Sequence, residues 1–312
     1  MGNSVITRSA VDSAAIAGVE NVRFGMVVRS VGKAGLLATP LTAYFFLWAP
    51  ILLLVLFSFN DSRAVDMWRG FTLRWYTNIF SGVMGTEARF STELMMQALS
   101  NTLLVGLVST LIATTLGTMI ALSLARSNLP GKRIIDGLMF LPVVIPEITQ
   151  GVSLAIFFKI VFDFLDSSTG MRAAPGFGTI IIGHVAFNIS YVAIVVRARL
   201  ANMNPRLEEA ANDLGANTWQ TFRRITLPLI MPGIVAGGLL ALTLSMDDLV
   251  ITFFNAGVGT TTLPMFVYGL IKTAVTPEVN ALSTLMLVFS TIVVGVSLML
   301  QNRYTERPYT RQ

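Results

Sequence analysis

The sequence has few of the residues that soluble proteins use for catalysis, metal binding and solubility. Its 312 residues include no cysteine, one histidine and only 12% charged residues. Without cysteine, disulfides, thiolate metal sites and cysteine nucleophiles are excluded, and the single His184 cannot build a histidine-rich metal site. Soluble domains carry about 25% charged residues. The composition therefore excludes an ordinary soluble enzyme, a soluble binding module and a disordered scaffold.

Apolar residues are abundant, at 54% of the chain with a mean hydropathy of +0.69. A helix needs about 20 mostly apolar residues to cross a bilayer core of roughly 30 Å, because backbone groups in hydrocarbon must bond within the segment. Six stretches meet this requirement: 38–59, 99–125, 135–162, 178–198, 232–254 and 281–301. They lack the polar and apolar alternation of barrel strands. We therefore expect an all-α integral membrane protein with six transmembrane helices.

The lysine and arginine residues flank these apolar runs instead of forming one patch. If the N-terminus is cytoplasmic, 15 of the 22 lie in cytoplasmic segments and 7 lie outside, so the positive-inside rule predicts that both termini are cytoplasmic. The basic pI of about 9.8 is then a topology signal, and we expect no nucleic-acid partner. The predicted parts are a cytoplasmic tail 1–37, a membrane domain 38–301 and a cytoplasmic tail 302–312.

The cytoplasmic connection 202–231 is too long for a minimal turn and carries helix signals of its own. Pro205 suits a first helical turn, and the carboxylates of Glu208 and Glu209 complement the positive end of that helix's dipole. Gly215 stands where a helix end often requires a positive φ angle. These signals predict a short helix in the first half of the connection.

A second helix is predicted to begin at a cap, Asn217 or Thr218, and to end at the residue before Pro228. Apolar residues recur at helical spacing in both helices and predict an edge that docks on a partner. On the first helix these residues are Leu207, Ala210, Ala211 and Leu214, and on the second they are Trp219, Phe222 and Ile225.

Part of this connection resembles a family motif, formed by Glu209, Ala210, Ala211, Gly215, Ile225, Leu227 and Pro228. With this spacing, in a cytoplasmic loop of a six-helix chain, the protein resembles the permease subunits of binding-protein-dependent ABC importers in their type I fold. The resemblance implies that the loop is seated in a cleft of an ATPase subunit and transmits the ATP cycle to the membrane helices. The expected coupling residues are Glu208, Glu209, Ala210, Ala211, Gly215, Leu227 and Pro228.

The chain itself has no phosphate-binding loop, because Gly32-Lys33 and Gly131-Lys132 lack the required preceding glycine and following hydroxyl residue. We therefore expect a chain that is not an enzyme and holds no cofactor. The resemblance implies two ATPase copies that bind ATP and Mg²⁺, a second homologous permease subunit and a periplasmic substrate-binding protein. It also implies a multi-pass protein of the bacterial inner membrane.

Four ionisable residues lie at or near membrane depth: Glu147, His184, Asp247 and Asp248. A carboxylate near the bilayer centre costs roughly 2.5–3.5 kcal/mol on insertion scales, so we expect these acids to face water, a cation or a partner. Adjacent helical positions point about 100° apart, so at most one of Asp247 and Asp248 faces a pore squarely. We interpret His184 as an interhelical hydrogen-bonding residue. Glu147 either lines the pathway or caps backbone freed at Pro146.

No lysine or arginine lies at matching depth, so the predicted pathway is net acidic and favours a cationic cargo. The predicted pathway residues are Glu147, Ser245, Asp247 and Asp248. Segments 245–252, 262–268 and 277–282 resemble the second permease subunit of spermidine/putrescine importers. This resemblance implies a polyamine cargo, and another cationic or amine substrate stays open as the alternative.

Two classes outside ATP-driven import also stay open. An ion-coupled secondary transporter could use Asp247 and Asp248 as a proton or sodium relay, but such proteins usually show inverted repeats, which this sequence does not. An intramembrane enzyme would have only Ser245 beside these acids as a nucleophile, which is a slight basis for catalysis.

Overall fold

The computed structural model describes residues 36, 38–62, 67–81, 92–126, 131–273 and 277–305. The predicted N-terminal tail 1–37 lies outside these residues except for Leu36, and so do residues 306–312 of the predicted C-terminal tail. The chain divides into two units, Met1–Phe57 and Ser58–Gln312. The first contributes one described helix, α1, Ala38–Phe57.

The described part of the second unit is helical apart from one isolated bridge between Asn60 and Phe71. Its elements are α2 Arg74–Ser81, α3 Thr92–Arg126, α4 Lys132–Val144, α5 Glu147–Thr169, α6 Phe177–Ala201, α7 Arg206–Asp213, α8 Thr218–Thr221, a π-helical turn Phe222–Thr226, α9 Leu227–Asp247, α10 Val250–Asn255, α11 Leu263–Thr273 and α12 Pro277–Thr305. The predicted all-α class is confirmed.

Five of the described segments are long and apolar enough to cross a membrane: Ala38–Phe57, Glu93–Ala125, Glu147–Thr169, Phe177–Ala201 and Thr218–Asp247. The sixth predicted span corresponds to α12, whose described apolar stretch, Val279–Ile292, is shorter than a span. A sixth crossing therefore stays a prediction.

The prediction of one continuous helix over 135–162 is wrong, because the chain breaks there into α4 and α5. Ile145 and Pro146 are extended, with ψ angles of 131° and 137°. A proline disfavours helical backbone in the residue before it and lacks the amide hydrogen of a helical ladder. Pro142, by contrast, lies inside α4. Gln150 stabilises the break, since its Nε2 donates to the carbonyls of Pro142 at 2.7 Å and Ile145 at 2.8 Å.

The predicted fifth run 232–254 also differs from the structure. Its helix begins earlier, at Leu227, and ends at Asp247. Asp248 has a ψ angle of 124°, which interrupts the helix before α10 begins at Val250. The run is apolar on both sides of Asp247 and Asp248, so its average hydropathy did not reveal the break that lies at these two acids.

Helices α3, α6 and α9 pack together as the core of the second unit. Glycine permits their close approach: a Cβ on Gly117 of α3 would lie 2.8 Å from Val192 Cβ and 2.9 Å from the Ile189 carbonyl oxygen of α6. A Cβ on Gly237 of α9 would lie 3.3 Å from Val192 Cα. Small residues at such contacts allow van der Waals packing between membrane helices.

A second cluster joins α2, α3, α11 and α12. Trp75 is buried in it and its Nε1 donates to the Asn60 carbonyl at 2.8 Å. The other buried members are Ile79, Met95, Ala98, Leu263, Phe266, Ala281 and Leu282. This cluster holds α11 beside the beginning of α3.

Candidate functional site

The interruption between α9 and α10 is built around the carboxylate of Asp248. Its Oδ1 accepts from the Ile251 amide at 3.1 Å, and its Oδ2 accepts from the Thr252 amide at 2.8 Å and the Thr252 hydroxyl at 2.8 Å. These bonds satisfy amide groups in the first turn of α10, which have no partner within the helix. The carboxylate is therefore a cap that fixes where α10 begins.

His184 of α6 completes this arrangement. Its Nε2 lies 3.2 Å from Asp248 Oδ2 and 3.0 Å from Thr252 Oγ1. The side chains of His184 and Asp248 are 1% and 4% exposed, so the contact is closed to solvent. Because an ionised carboxylate only accepts, Nε2 carries the hydrogen in this contact. The interpretation of His184 as an interhelical hydrogen-bonding residue agrees with this geometry.

The neighbouring Asp247 has the opposite environment. Its side chain is exposed at the end of α9 and has no hydrogen-bond or ion-pair partner among the described residues. The expectation that the two adjacent acids point to different surroundings agrees with this arrangement. Asp247 is therefore the one of the pair that is free to meet a cation.

Ser245, another predicted pathway residue, lies inside the helix core. It is 3% exposed, and its Oγ accepts from Asn188 Nδ2 at 2.8 Å and lies 3.1 Å from Ser109 Oγ. This polar contact links α3, α6 and α9 two residues before Asp247. In this conformation Ser245 presents no surface to a cargo, and its pathway role stays a prediction.

Glu147 begins α5 directly after Pro146 and is exposed. The alternative that it caps the freed backbone does not hold, because Gln150 donates to those carbonyls. A carboxylate could not have done so, since it has no hydrogen to donate when ionised. The sequence analysis did not identify Gln150. Its side-chain amide stands four residues after Pro146, where it can donate to carbonyls that the proline leaves free, and this position was the available signal.

Thr252 was also missed. The signal was present, because an aspartate directly before an apolar run is a helix start signal, and Asp248 directly precedes Leu249. The amides that Asp248 then accepts from belong to Ile251 and Thr252. Among the described residues, no group of three or more histidine, aspartate or glutamate side chains could hold a metal ion.

The cytoplasmic connection folds from its own local signals, as predicted. Pro205 precedes α7, and Gly215 adopts a φ angle of +83° after it. Asn217 caps α8: its Oδ1 accepts from the Gln220 amide at 2.9 Å, and the Gln220 Oε1 accepts from the Asn217 amide at 3.0 Å. This reciprocal pair is a capping box.

The second helix does not end before Pro228, so that prediction is wrong. Leu227 donates its amide to the Phe222 carbonyl, five residues earlier, which makes the π-helical turn Phe222–Thr226. The wider turn continues directly into α9, and Pro228, which has no amide hydrogen, is the second residue after it. The connection is therefore continuous with the membrane helix α9.

The two glutamates of α7 point to different places. Glu208 Oε1 accepts from the Thr226 hydroxyl at 2.5 Å, which ties α7 to the π-helical turn. Glu209 and Ala210 are exposed. Ala211 is buried and packs inward, so it does not lie on the exposed edge of α7, and its coupling role stays a prediction. The motif thus divides into an inward and an outward face.

The outward face is apolar and unusually exposed. Leu214 is 89% exposed and Trp219 is 65% exposed, and Leu207 lies on the same short hairpin of α7 and α8. The Trp219 and Phe222 rings lie 5.7 Å apart, which holds the indole at the turn. We call Leu207, Leu214 and Trp219 the coupling face. Large exposed apolar side chains gathered in one place mark an interaction surface.

Comparison with known proteins agrees with the motif and the fold. A family described as the binding-protein-dependent transport system inner membrane component matches residues 113–311. The chain is 40% identical over 262 residues to the putrescine transport system permease protein PotI of Escherichia coli strain K12, covering 84% of this chain and 87% of that protein. It is 35% identical over 254 residues to the spermidine/putrescine transport system permease protein PotC of Haemophilus influenzae, covering 81% and 91%.

A solved structure of similar fold is a bacterial ABC transporter involved in the import of the acidic polysaccharide alginate. The likeness has a TM-score of 0.67 at 20% identity and covers 86% of this chain and 94% of that chain. The resemblance that the coupling motif carried is confirmed by these findings. The chain belongs to the family of inner membrane components of binding-protein-dependent transport systems.

Proposed function

We propose that the chain is a transmembrane permease subunit of an ATP-driven importer of polyamines, with putrescine and spermidine as cargo. The observation that carries the cargo proposal is the exposed, unpaired Asp247 at the end of a membrane helix in a chain 40% identical to PotI. A carboxylate at this depth is expensive in lipid, which favours a position on a wet pathway. An ammonium group is its natural counter-ion.

Asp247 suits a transient contact better than a tight site. One exposed carboxylate attracts a cation, but it holds the cation less firmly than an enclosed cluster of acids would. Conduction requires binding that is favourable enough to enter and weak enough to leave. Glu147, exposed at the start of α5, is the second carboxylate proposed for this pathway.

The coupling face would receive the ATPase subunit. In this proposal Glu209, Ala210 and Gly215 meet the ATPase cleft together with Leu214, and the π-helical turn passes the movement into α9. Glu208 supports the segment from inside through its bond to Thr226. Leu227 and Pro228 are the first residues of the helix that moves.

The remaining partners follow from the same proposal. Two ATPase copies would bind ATP and Mg²⁺, a second homologous permease would complete the pathway, and a periplasmic substrate-binding protein would deliver the cargo. The chain would lie in the bacterial inner membrane with both termini in the cytoplasm, as the distribution of lysine and arginine favours. Tails 1–37 and 302–312 would flank a membrane domain 38–301, with the coupling loop at 202–231.

The experiment is transport by proteoliposomes that contain the complete complex, with labelled putrescine and the binding protein outside. The proposal is supported if uptake requires ATP in the compartment that faces the coupling loop. Excess spermidine should also inhibit the uptake of labelled putrescine. Uptake driven by a proton or sodium gradient without ATP would favour the secondary transporter. Competition only by an unrelated amine would keep the importer and change its cargo.

A further inference from the structure

Arg197 of α6 and Asp136 of α4 form an ion pair between these two helices. The Arg197 Nη1 atom donates to Asp136 Oδ1 at 2.5 Å, and Nη2 donates to Oδ2 at 3.2 Å. The side chains are 35% and 25% exposed, so the pair lies at the edge of the helix packing and not in its core. Among the described residues the guanidinium bonds to no other group, so its remaining N–H donors are open to a further acceptor.

A groove of about 310 Å³ lies beside this ion pair, between α4 and α6. Apart from the pair its lining is apolar: Met139 and Phe140 from α4, and Ile194, Ala198 and Ala201 from α6. Phe140 is 47% exposed, whereas Met139 belongs to the buried core. The methyl groups of Ala198 and Ala201 are too short to fill the space between the helices. The result is an apolar groove with a charged group in its lining.

Two more basic residues begin α4. Lys132 lies four residues before Asp136, and residues at this spacing are neighbours on one helix face. Arg133 follows it and is exposed. In the part of the chain that the structure describes, neither of them is in an ion pair. Together with Arg197, three cationic side chains stand against one carboxylate, so this end of the groove is net positive.

The predicted topology puts the positive end of the groove at the cytoplasmic surface. Helix α6 ends at Ala201, directly before the coupling loop, and α4 begins at Lys132, after the cytoplasmic end of α3. In that topology the apolar lining from Phe140 and Ile194 lies deeper in the membrane than Lys132. Charge at the surface with apolar lining below it matches a phospholipid, whose headgroup lies outside the hydrocarbon core that its acyl chains form.

The groove lies on the side of α6 that faces away from α9. A Cβ on Gly233 of α9 would lie 2.9 Å from Arg199 Cβ, and Arg199 Nε donates to the Leu229 carbonyl at 3.1 Å. Arg197 stands two residues before Arg199, which is about 200° around the helix. The groove is therefore separate from the side of α6 on which α9 and its exposed Asp247 lie.

The chemistry of the groove favours a lipid over a protein partner. The centre of a protein interface is depleted in charged residues, whereas this groove has an ion pair in its lining. Basic pockets between membrane helices on the cytoplasmic side bind anionic lipid headgroups. A guanidinium also matches the geometry of a phosphate, to which it can donate two parallel hydrogen bonds.

We propose that the groove between α4 and α6 binds an anionic phospholipid of the cytoplasmic leaflet, with its phosphate at Lys132 and Arg197 and an acyl chain along Met139 and Phe140. This inference rests on the proposed function only for the side of the membrane that the groove faces. The bound lipid bridges α4 and α6. It thereby supports α4, which is separated from α5 by the break at Pro146.

The test is native mass spectrometry of the complete complex, released from nanodiscs that hold equal amounts of phosphatidylglycerol and phosphatidylcholine with the same acyl chains. We expect the unmodified complex to retain phosphatidylglycerol in preference to phosphatidylcholine. Ala198→Leu fills the groove and leaves every charge in place, so it should remove one retained phosphatidylglycerol for each copy of this chain. Lys132→Gln leaves the ion pair in place and should weaken the binding of that lipid about fivefold, as for one lost surface cation.

Two variants outside the groove are the matched controls. Ala125→Leu adds the same bulk at an exposed position of α3, and Arg172→Gln removes an exposed cation that follows α5. Both should retain phosphatidylglycerol like the unmodified complex. Equal retention of the two lipids by the unmodified complex would overturn the inference, and so would an Ala198→Leu complex that retains as much phosphatidylglycerol as before. If Ala198→Leu does not assemble, Ala201→Leu fills the same groove and takes its place.

A photocrosslink identifies what covers the groove. Because the chain has no cysteine, Ala198→Cys gives it a single thiol, to which a benzophenone can be attached. Crosslinking to phospholipid supports the inference. Crosslinking to another subunit would show that the groove is a protein interface and would overturn it. A complex that retains the lipid but transports no polyamine would refute the proposed function and leave the lipid site standing.

Discussion

Asp247 and Asp248 are adjacent in the sequence, yet the Asp248 carboxylate is 4% exposed and bonded to Thr252 and His184 while the Asp247 carboxylate is exposed and unpaired. The interruption of the helix between them produces this difference. Asp248 leaves the helical conformation and turns inward to cap α10. Asp247 remains the last residue of α9 and faces outward.

Single amide substitutions should separate these two roles. Asp247→Asn removes a charge without breaking a described bond, so we expect polyamine uptake to fall about tenfold, as for loss of one charge-assisted contact, with assembly unchanged. Asp248→Asn presents an NH₂ group to donors in a buried place and should destabilise the subunit by about 1–3 kcal/mol. Uptake and the apparent melting temperature of the purified complex are the two measurements.

Asp163→Asn is the matched control, because Asp163 is an exposed aspartate of α5 that pairs only with Lys159 on the surface. It should change neither quantity. If Asp248→Asn lowered uptake and left the melting temperature unchanged, while Asp247→Asn had no effect, the two roles would be reversed.

A substitution in the coupling face should weaken binding of the ATPase subunit without unfolding this chain. Leu214 is 89% exposed, so Leu214→Ser removes almost no contact within this chain. Because burying an exposed leucine side chain against a partner contributes about 1.5–3 kcal/mol, we expect the ATPase subunit to bind at least about tenfold more weakly. Co-purification and ATPase titration against the membrane subunits measure this. Leu111→Ser, on the exposed face of α3, should leave ATPase binding unchanged.

Two helical glycines should respond in opposite ways to alanine. A Cβ at Gly117 would lie 2.8 Å from Val192 Cβ, so Gly117→Ala forces α3 and α6 apart and should cost about 1–3 kcal/mol. No atom lies within 4 Å of a Cβ at Gly137 in α4, so Gly137→Ala should stabilise the helix by about 0.5–1 kcal/mol. Thermal unfolding in detergent compares them, and equal effects would contradict the close approach of α3 and α6.

The hydrogen bonds of Gln150 should stabilise the break between α4 and α5. Gln150→Leu keeps the size of the side chain but leaves the carbonyls of Pro142 and Ile145 without their donor, which should cost about 1–3 kcal/mol. The melting temperature of the complex measures this cost. Gln97→Leu, an exposed glutamine of α3, is the control. An unchanged melting temperature for Gln150→Leu would show that water or lipid headgroups satisfy these carbonyls equally well.

The sequence predicted most of what depends on local chemistry. Hydropathy found the apolar runs in which the five candidate spans lie, Gly215 marked the end of α7 and Asn217 the start of α8, and the spacing from Glu209 to Pro228 identified the family. Each of these signals acts within a few residues, which is why a single sequence reveals it.

What the sequence did not reveal depends on contacts between distant segments or on breaks inside apolar runs. The pairing of Asp248 with His184 joins residues 64 positions apart. The inward direction of Ala211 depends on how α7 packs against the π-helical turn. That turn carries the helix through Pro228, where propensity predicted an end.

The most direct test of ATP-driven polyamine import is ATP hydrolysis by the complete complex in nanodiscs with its binding protein, titrated with putrescine, spermidine and a neutral amino acid. We expect both polyamines to stimulate hydrolysis and the amino acid to leave it unchanged. Stimulation by the neutral amino acid, with no response to either polyamine, would contradict polyamine import.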